Sequence, residues 1–266
     1  MLKRAITGAV FIAVLIGSAL SGATFFTIFF SAIGVWCLYE FFGMVRQQQD
    51  VIPVTTVGIL TAIFLGAVLA MHHLQALPLR YAALLIPFIG LIFIFPLYRG
   101  NAKPFHDISY TLTGILYTSF PFFCFVALGF IRGSYQAHIP LGFLYMLWSN
   151  DTGAYLVGRS IGRTKLFERI SPNKTWEGFV GGVVLAMVVA ALLSHFYTVL
   201  PLWQWLTMGF MIGTLGTLGD LVESMLKRTL GVKDSGNILP GHGGLLDRFD
   251  GLLIAAPLVW IFLLLV

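Results

Sequence analysis

Charge is scarce in this 266-residue chain: Lys, Arg, Asp and Glu make up 10% of it, against 58% hydrophobic residues. So few charges do not clothe a water-soluble globule of this size, and a mean hydropathy of +0.90 places the chain among proteins dissolved in lipid. Cysteine is nearly absent as well. Cys37 and Cys124 lie far apart within apolar runs, which indicates no disulfide framework and leaves no zinc or thiol-redox motif. No internal repeat, low-complexity tract or soluble domain interrupts the pattern, and no glycine-rich loop has Walker spacing.

What is present is a series of apolar runs. Stretches of the ~20 residues that a bilayer requires fall near 5–21, 23–45, 52–72, 78–98, 109–131, 139–158, 177–199, 203–221 and 251–266. The fold class is therefore an all-α polytopic membrane protein of about nine transmembrane helices. Only Ser21 and Gly22 separate the first two runs, so eight spans result if that pair is a hairpin or interfacial. Lys3 and Arg4 ahead of the first run have the look of a secretory signal, and the many later spans predict a retained signal anchor. With the N-terminus cytoplasmic, the nine-span arrangement puts all of the 16 basic residues except Arg80 and Arg132 on the cytoplasmic side. That distribution accounts for the net charge of +5 without a nucleic-acid partner.

The acidic residues divide the chain. Eight of 11 lie from Asp151 onward, so residues 1–135 read as a hydrophobic helical region without a polar constellation. Residues 136–266 read as a catalytic transmembrane region with charged cytoplasmic loops at 159–176 and 222–250. On the nine-span arrangement Asn150, Asp151, Glu177, Asp220 and Asp250 all come at helix ends on one face. Asp220, Glu223 and Lys227 are three and four residues apart and share a helical stripe, as do Asp247 and Asp250 if the last helix starts early enough.

Carboxylates from separate segments with Lys and Arg between them suit magnesium-dependent phosphate chemistry, because Mg²⁺ takes a few hard oxygens together with water and substrate phosphates. The same residues also suit buried structural ion pairs between Asp220, Asp247 or Asp250 and Lys227, Arg228 or Arg248. Gly231, Gly236, Gly241, Gly243 and Gly244 around Pro240 and His242 offer either ordinary turns or a nest of backbone amides for a phosphate. In the other loop, Ser171 precedes Pro172, which suits a first helical turn, and Lys174 stands ahead of a new helix, a geometry that attracts anions. Arg159, Arg163, Lys165 and Arg169 are explained by topology alone. Gly178, Gly181, Gly182, Gly213, Gly216 and Gly219 are spaced for close helix packing, which would draw the helices bearing Glu177 and Asp220 together; glycine-rich helices also suit a homodimer.

The run SMLKRTLGVKDSGNILPGHGGLLDRFD at 224–250 resembles the signature of the phosphatidate cytidylyltransferases, or CDP-diacylglycerol synthases. LGDLVES before it, SPNKTWEG at 171–178 and SNDTGAYLVGR at 149–159 are similar to that family too, so the resemblance covers roughly residues 140–255. It implies transfer of a cytidylyl group from CTP to phosphatidic acid in the bilayer, releasing diphosphate, at a site facing the cytoplasm of a bacterial inner membrane. It also implies Asp220 and Asp247 as principal Mg²⁺ ligands with Glu223 and Asp250 nearby, and leaves room for a second ion such as K⁺. Lys227, Arg228, Lys233 and Arg248 would compensate phosphate charge, with Asp234 in the same catalytic run. Ser171, Lys174 and Glu177 would bind CTP, and His242 with its glycines would shape the phosphate pocket.

Two other classes share some of these features. A CTP-dependent lipid kinase of the dolichol-kinase type would use similar nucleotide loops but transfer the γ-phosphoryl group. A transporter would also place carboxylates in a bilayer, though here they gather at helix ends rather than along a two-sided path. CDP-alcohol phosphatidyltransferases need DGxxAR, and DGLLIA at 250–255 lacks its Arg.

Overall fold

The computed structural model describes residues 2–48, 51–238 and 243–266. The helices are α1 (Leu2–Leu20), α2 (Ala23–Val45), α3 (Thr55–His73), α4 (Leu85–Ile94), α5 (Pro104–Gly114), α6 (Phe120–Leu128), α7 (His138–Ile161), α8 (Trp176–Phe196), α9 (Leu202–Thr229) and α10 (Leu246–Leu265). An antiparallel hairpin of β1 (Lys165–Phe167) and β2 (Ser171–Thr175) separates α7 from α8. With α4 joined to its 3₁₀ flanks and α5 to α6, the described residues form nine helical rods. Seven are long and apolar enough to cross a membrane. The chain is thus the all-α polytopic membrane protein that its composition predicts. Of the other two, α1 has a shorter apolar stretch at Ile6–Leu20, and α7 carries Asn150, Asp151 and Arg159.

Two expected spans are not regular helices. The run near 78–98 has 3₁₀ turns at Leu79–Leu84 and Phe95–Tyr98, and Pro96, without an N–H, cannot continue an α ladder. The run near 109–131 starts earlier, with Pro104 in the first turn, and passes through a π turn at Ile115–Ser119. Pro121 follows, and a regular helix would drive its ring against the carbonyl four residues back; widening the preceding turn relieves this.

The chain divides into two compact units, Met1–Val126 with Thr229–Arg248, and Ala127–Arg228 with Phe249–Val266. Lipid tails are as apolar as side chains, so helices inside such units associate through dispersion contacts and hydrogen bonds rather than through expulsion of water. In the first unit, Phe26, Phe30, Phe41, Phe42, Phe122 and Phe125 are fully buried. The Phe30 and Phe125 rings lie 4.8 Å apart, and α2 receives Phe122 where Gly34 leaves space. Buried Asp107 accepts the Ile52 amide and the Asn101 side chain, both at 2.8 Å, and so fixes the segment leading into α3.

The second unit is built on glycine. A Cβ on Gly153 of α7 would stand 2.8 Å from the Gly181 carbonyl of α8, and one on Gly178 would meet the Ala154 carbonyl at the same distance. Along α9, Gly209 and Gly213 face Ala190 and Val183 of α8, Gly216 faces Leu147 of α7, and Gly219 faces the backbone of Asp250 and Gly251 in α10. The glycines read from the sequence as packing positions therefore pack within one chain. A buried hydrogen bond from Asn150 to Thr217 (3.2 Å) ties α7 to α9.

Gly213→Leu is expected to lower the thermal midpoint of the detergent-solubilised protein by ~5 °C or more, since its Cβ would lie 2.8 Å from the Val183 Cα. Gly90→Ala, with no atom within 4 Å, is expected to leave the midpoint unchanged; equal shifts in scanning fluorimetry would refute this account of the packing.

Candidate active site

The loop between α7 and α8 corrects one expectation. Pro172 does not enter a helical turn. Residues Ser171–Thr175 are extended as β2, α8 begins at Trp176, and the Thr175 hydroxyl accepts the Gly178 amide at 3.2 Å. The pyrrolidine ring of Pro172 biases Ser171 toward extended backbone, and Thr175 is the residue whose hydroxyl can cap. Glu177, in the first turn of α8, accepts the backbone amides of Arg163 (3.1 Å) and Thr164 (3.2 Å). Its carboxylate therefore fastens the start of the hairpin to the helix. Lys165 donates to the Pro172 carbonyl at 2.6 Å across the hairpin.

The hairpin brings Ser171 and Lys174 to a cavity of about 330 Å³ in the second unit, which Asp151, Asn173, Thr217 and Asp220 also line. Lys174 forms an ion pair with Asp220. Asp220 also accepts from Ser224 at 3.2 Å. The helix bearing Asp220 does not end near 221 as expected; α9 runs to Thr229, because residues 222–229 contain no Gly or Pro and continue the ladder. Asp220, Glu223 and Lys227 consequently share a stripe as their spacing predicts, with buried Glu223 bound to Lys227 at 2.6 Å and Arg228 exposed. Asp250 interacts with the charges of Asp220, Asp151 and Lys174. The close approach at Gly219, where a Cβ would stand 3.0 Å from the Gly251 Cα, brings α10 against α9 at this point.

The first unit holds a second polar constellation, built on the chain between α9 and α10. α10 begins at Leu246, early enough to include Asp247. Oδ2 of Asp247 accepts the Ser235 amide (3.0 Å), the Ser235 hydroxyl (3.0 Å) and the Gly244 amide (2.9 Å). Gly243 adopts φ +78°, a conformation that disfavours other residues. Gly236 and Gly244 leave room for a carboxylate, but it belongs to Glu40: Cβ atoms on them would stand 2.7 Å and 2.5 Å from its oxygens. Where the sequence allows either ordinary turns or a phosphate nest, Gly236 and Gly244 make a cradle for the protein's own anion. Lys233, Asp234 and Arg248 are exposed. His242, with Pro240 and Gly241, lies outside the described residues.

Glu40 is the residue that the sequence reading missed, since the N-terminal half was expected to carry no polar constellation. The signal was available: Glu40 is the one charged residue in α2, Ala23–Val45, and an ionisable group inside an apolar span is by default a functional candidate.

Asp151 and Asp220 line the cavity beside Lys174, and carboxylate oxygens are the hard donors that Mg²⁺ prefers. Among the described residues no three His, Cys, Asp or Glu side chains are grouped to hold a metal ion. A cation there would draw further ligands from water and from phosphate, which is how Mg²⁺ is ordinarily held in phosphoryl-transfer sites.

Fold and site together define a multi-pass α-helical membrane protein with a cation-and-carboxylate cavity suited to phosphate chemistry. The chain belongs to the cytidylyltransferase family, whose model matches residues 2–266. It is 34% identical to a phosphatidate cytidylyltransferase of Bacillus subtilis (strain 168), over 99% of this chain and 97% of that protein. A protein of the same name from Staphylococcus aureus (strain COL) is 33% identical over 99% of both chains. One from Staphylococcus haemolyticus (strain JCSC1435) is 43% identical over 62% of each.

Glu177→Ala is expected to release the hairpin and speed tryptic cleavage at Arg163, Lys165 and Arg169 several-fold while leaving the helices intact by circular dichroism. Unchanged cleavage would show that the two backbone hydrogen bonds do not hold the loop.

Proposed function

We propose that the protein transfers the cytidylyl group of CTP to the phosphate of phosphatidate, releasing diphosphate and leaving CDP-diacylglycerol in the membrane. The observation that carries this reading is the cavity in which Lys174 and Asp220 pair beside Ser171 and Asp151, in a chain matched along its length by the cytidylyltransferase family.

A phosphatidate oxygen forms the new bond to the α-phosphorus of CTP, and the bond to the oxygen bridging toward the β-phosphorus breaks. The nucleophile is already an anion, so no strong base is required; the work is alignment and charge compensation. Ser171 and Lys174 contact the nucleotide phosphates from the hairpin that Glu177 fastens. Asp220 and Asp247 are the proposed principal Mg²⁺ ligands, with Asp250 and Glu223 as secondary candidates and Glu223 holding Lys227. When bound, the metal screens the triphosphate and stabilises the departing diphosphate. Lys227, Arg228, Lys233 and Arg248 offset the remaining charge, and Asp234 and His242 belong to the same polar run. The site faces the cytoplasm of the bacterial inner membrane, where the basic residues gather, and the lipid enters laterally with its acyl chains left in hydrocarbon.

Purified protein in phosphatidate micelles with Mg²⁺ and CTP, labelled in cytidine or in the γ-phosphate, tests the reading. Cytidine label in the extracted lipid is the expected result. γ-Label alone would indicate a lipid kinase, and uptake into sealed vesicles with neither label would indicate transport. Asp220→Asn and Asp247→Asn are each expected to lower turnover at least about a hundredfold in folded protein; near-normal rates in both would defeat the metal assignment.

A further inference from the structure

Glu40 is 6% exposed. Four donors converge on its carboxylate: Oε1 accepts from Trp36 Nε1 (3.2 Å) and the Leu245 amide (3.0 Å), and Oε2 from the Leu246 amide (2.9 Å) and the Ser235 hydroxyl (3.1 Å). All four donors are neutral, and two are backbone amides where α10 begins, which lack partners within the helix and carry its positive dipole end. Burying a carboxylate is costly where an apolar residue of similar volume would serve for packing alone. A glutamine has one acceptor oxygen and an NH₂ that would face a donor; only a carboxylate satisfies this arrangement.

The clamp also extends to Asp247. The Ser235 hydroxyl lies 3.1 Å from Glu40 Oε2 and 3.0 Å from Asp247 Oδ2, one proton linking two carboxylates. The Gly244 amide beside Glu40 donates to that same Asp247 oxygen at 2.9 Å. Glu40, on α2, therefore holds a segment about two hundred residues later in the chain, through Ser235, Leu245 and Leu246.

We propose that Glu40 is a positioning residue: it clamps the segment between α9 and α10 and thereby fixes the orientation of Asp247, without touching substrate. The proposal rests on the reading of Asp247 as a ligand of the reacting metal. Removing the clamp leaves the donor present but less ordered, so the loss falls on metal affinity before it falls on fold.

The test is Glu40→Gln in the full-length protein, read in two ways. Amide hydrogen exchange followed by mass spectrometry is expected to rise about tenfold at Leu245 and Leu246, with α7 and α8 unchanged. In the phosphatidate assay, the Mg²⁺ concentration giving half-maximal rate is expected to rise several-fold, with activity partly recovered at high Mg²⁺ and the KM for CTP at saturating Mg²⁺ unchanged. A uniform loss of rate at every Mg²⁺ concentration would mean a purely structural role and overturn the proposal, as would unaltered exchange. Ser235→Ala, which leaves α2 intact, is expected to shift the Mg²⁺ midpoint in the same direction, and supplies the test if the Gln variant fails to fold. A wild type that makes no CDP-diacylglycerol would refute the proposed function, while the exchange measurement would still decide whether Glu40 holds the loop.

Discussion

An ionised side chain in a protein dissolved in hydrocarbon must be matched by a partner, at a cost of several kcal/mol if it is not. This constraint organises the polar part of the structure. Lys174 meets Asp220, Lys227 meets Glu223, and Glu40 and Asp247 are met by backbone amides and the Ser235 hydroxyl. The rest of each unit is shaped so that these meetings occur. Glycines on α7, α8 and α9 bring backbones near enough for the Lys174–Asp220 pair to form beside Asp250, and glycines flanking Glu40 let the loop backbone reach a carboxylate.

The two constellations differ in chemistry. In the second unit Asp151, Lys174 and Asp220 line a cavity. Carboxylate oxygens beside a lysine suit a cation and, with it, a phosphate-bearing ligand. In the first unit both oxygens of Glu40 and one of Asp247 accept from neutral donors, which gives rigidity and direction. One arrangement is suited to holding a reacting group, and the other to fixing the orientation of a carboxylate.

Much of this was legible in the sequence because it depends on local spacing. Apolar runs of bilayer length marked the helices, spacings of three and four placed Asp220, Glu223 and Lys227 on one stripe, and the glycines of α8 and α9 were readable as packing positions. The hairpin at 165–175 was not legible, because Ser171, Pro172 and Lys174 before an apolar run imitate a helix start, and only Thr175 Oγ1 taking the Gly178 amide decides where the cap lies. The helix interruption ahead of Pro121 was also missed, since hydropathy does not register a lost N–H. Glu40 stood out as the one charged residue of α2, but what it holds did not. Its partners Leu245 and Leu246 lie more than 200 positions away, and no periodicity within α2 announces a contact made by the tertiary fold.

The central claim is that the Lys174–Asp220 cavity receives the phosphates of CTP. Titration calorimetry of CTP with Mg²⁺ into detergent-solubilised wild type and Lys174→Met tests it most directly, with thermal midpoints taken alongside to show that both are folded. The account predicts a CTP Kd at least about tenfold weaker in the variant with both proteins folded; equal affinities in two folded proteins would contradict it.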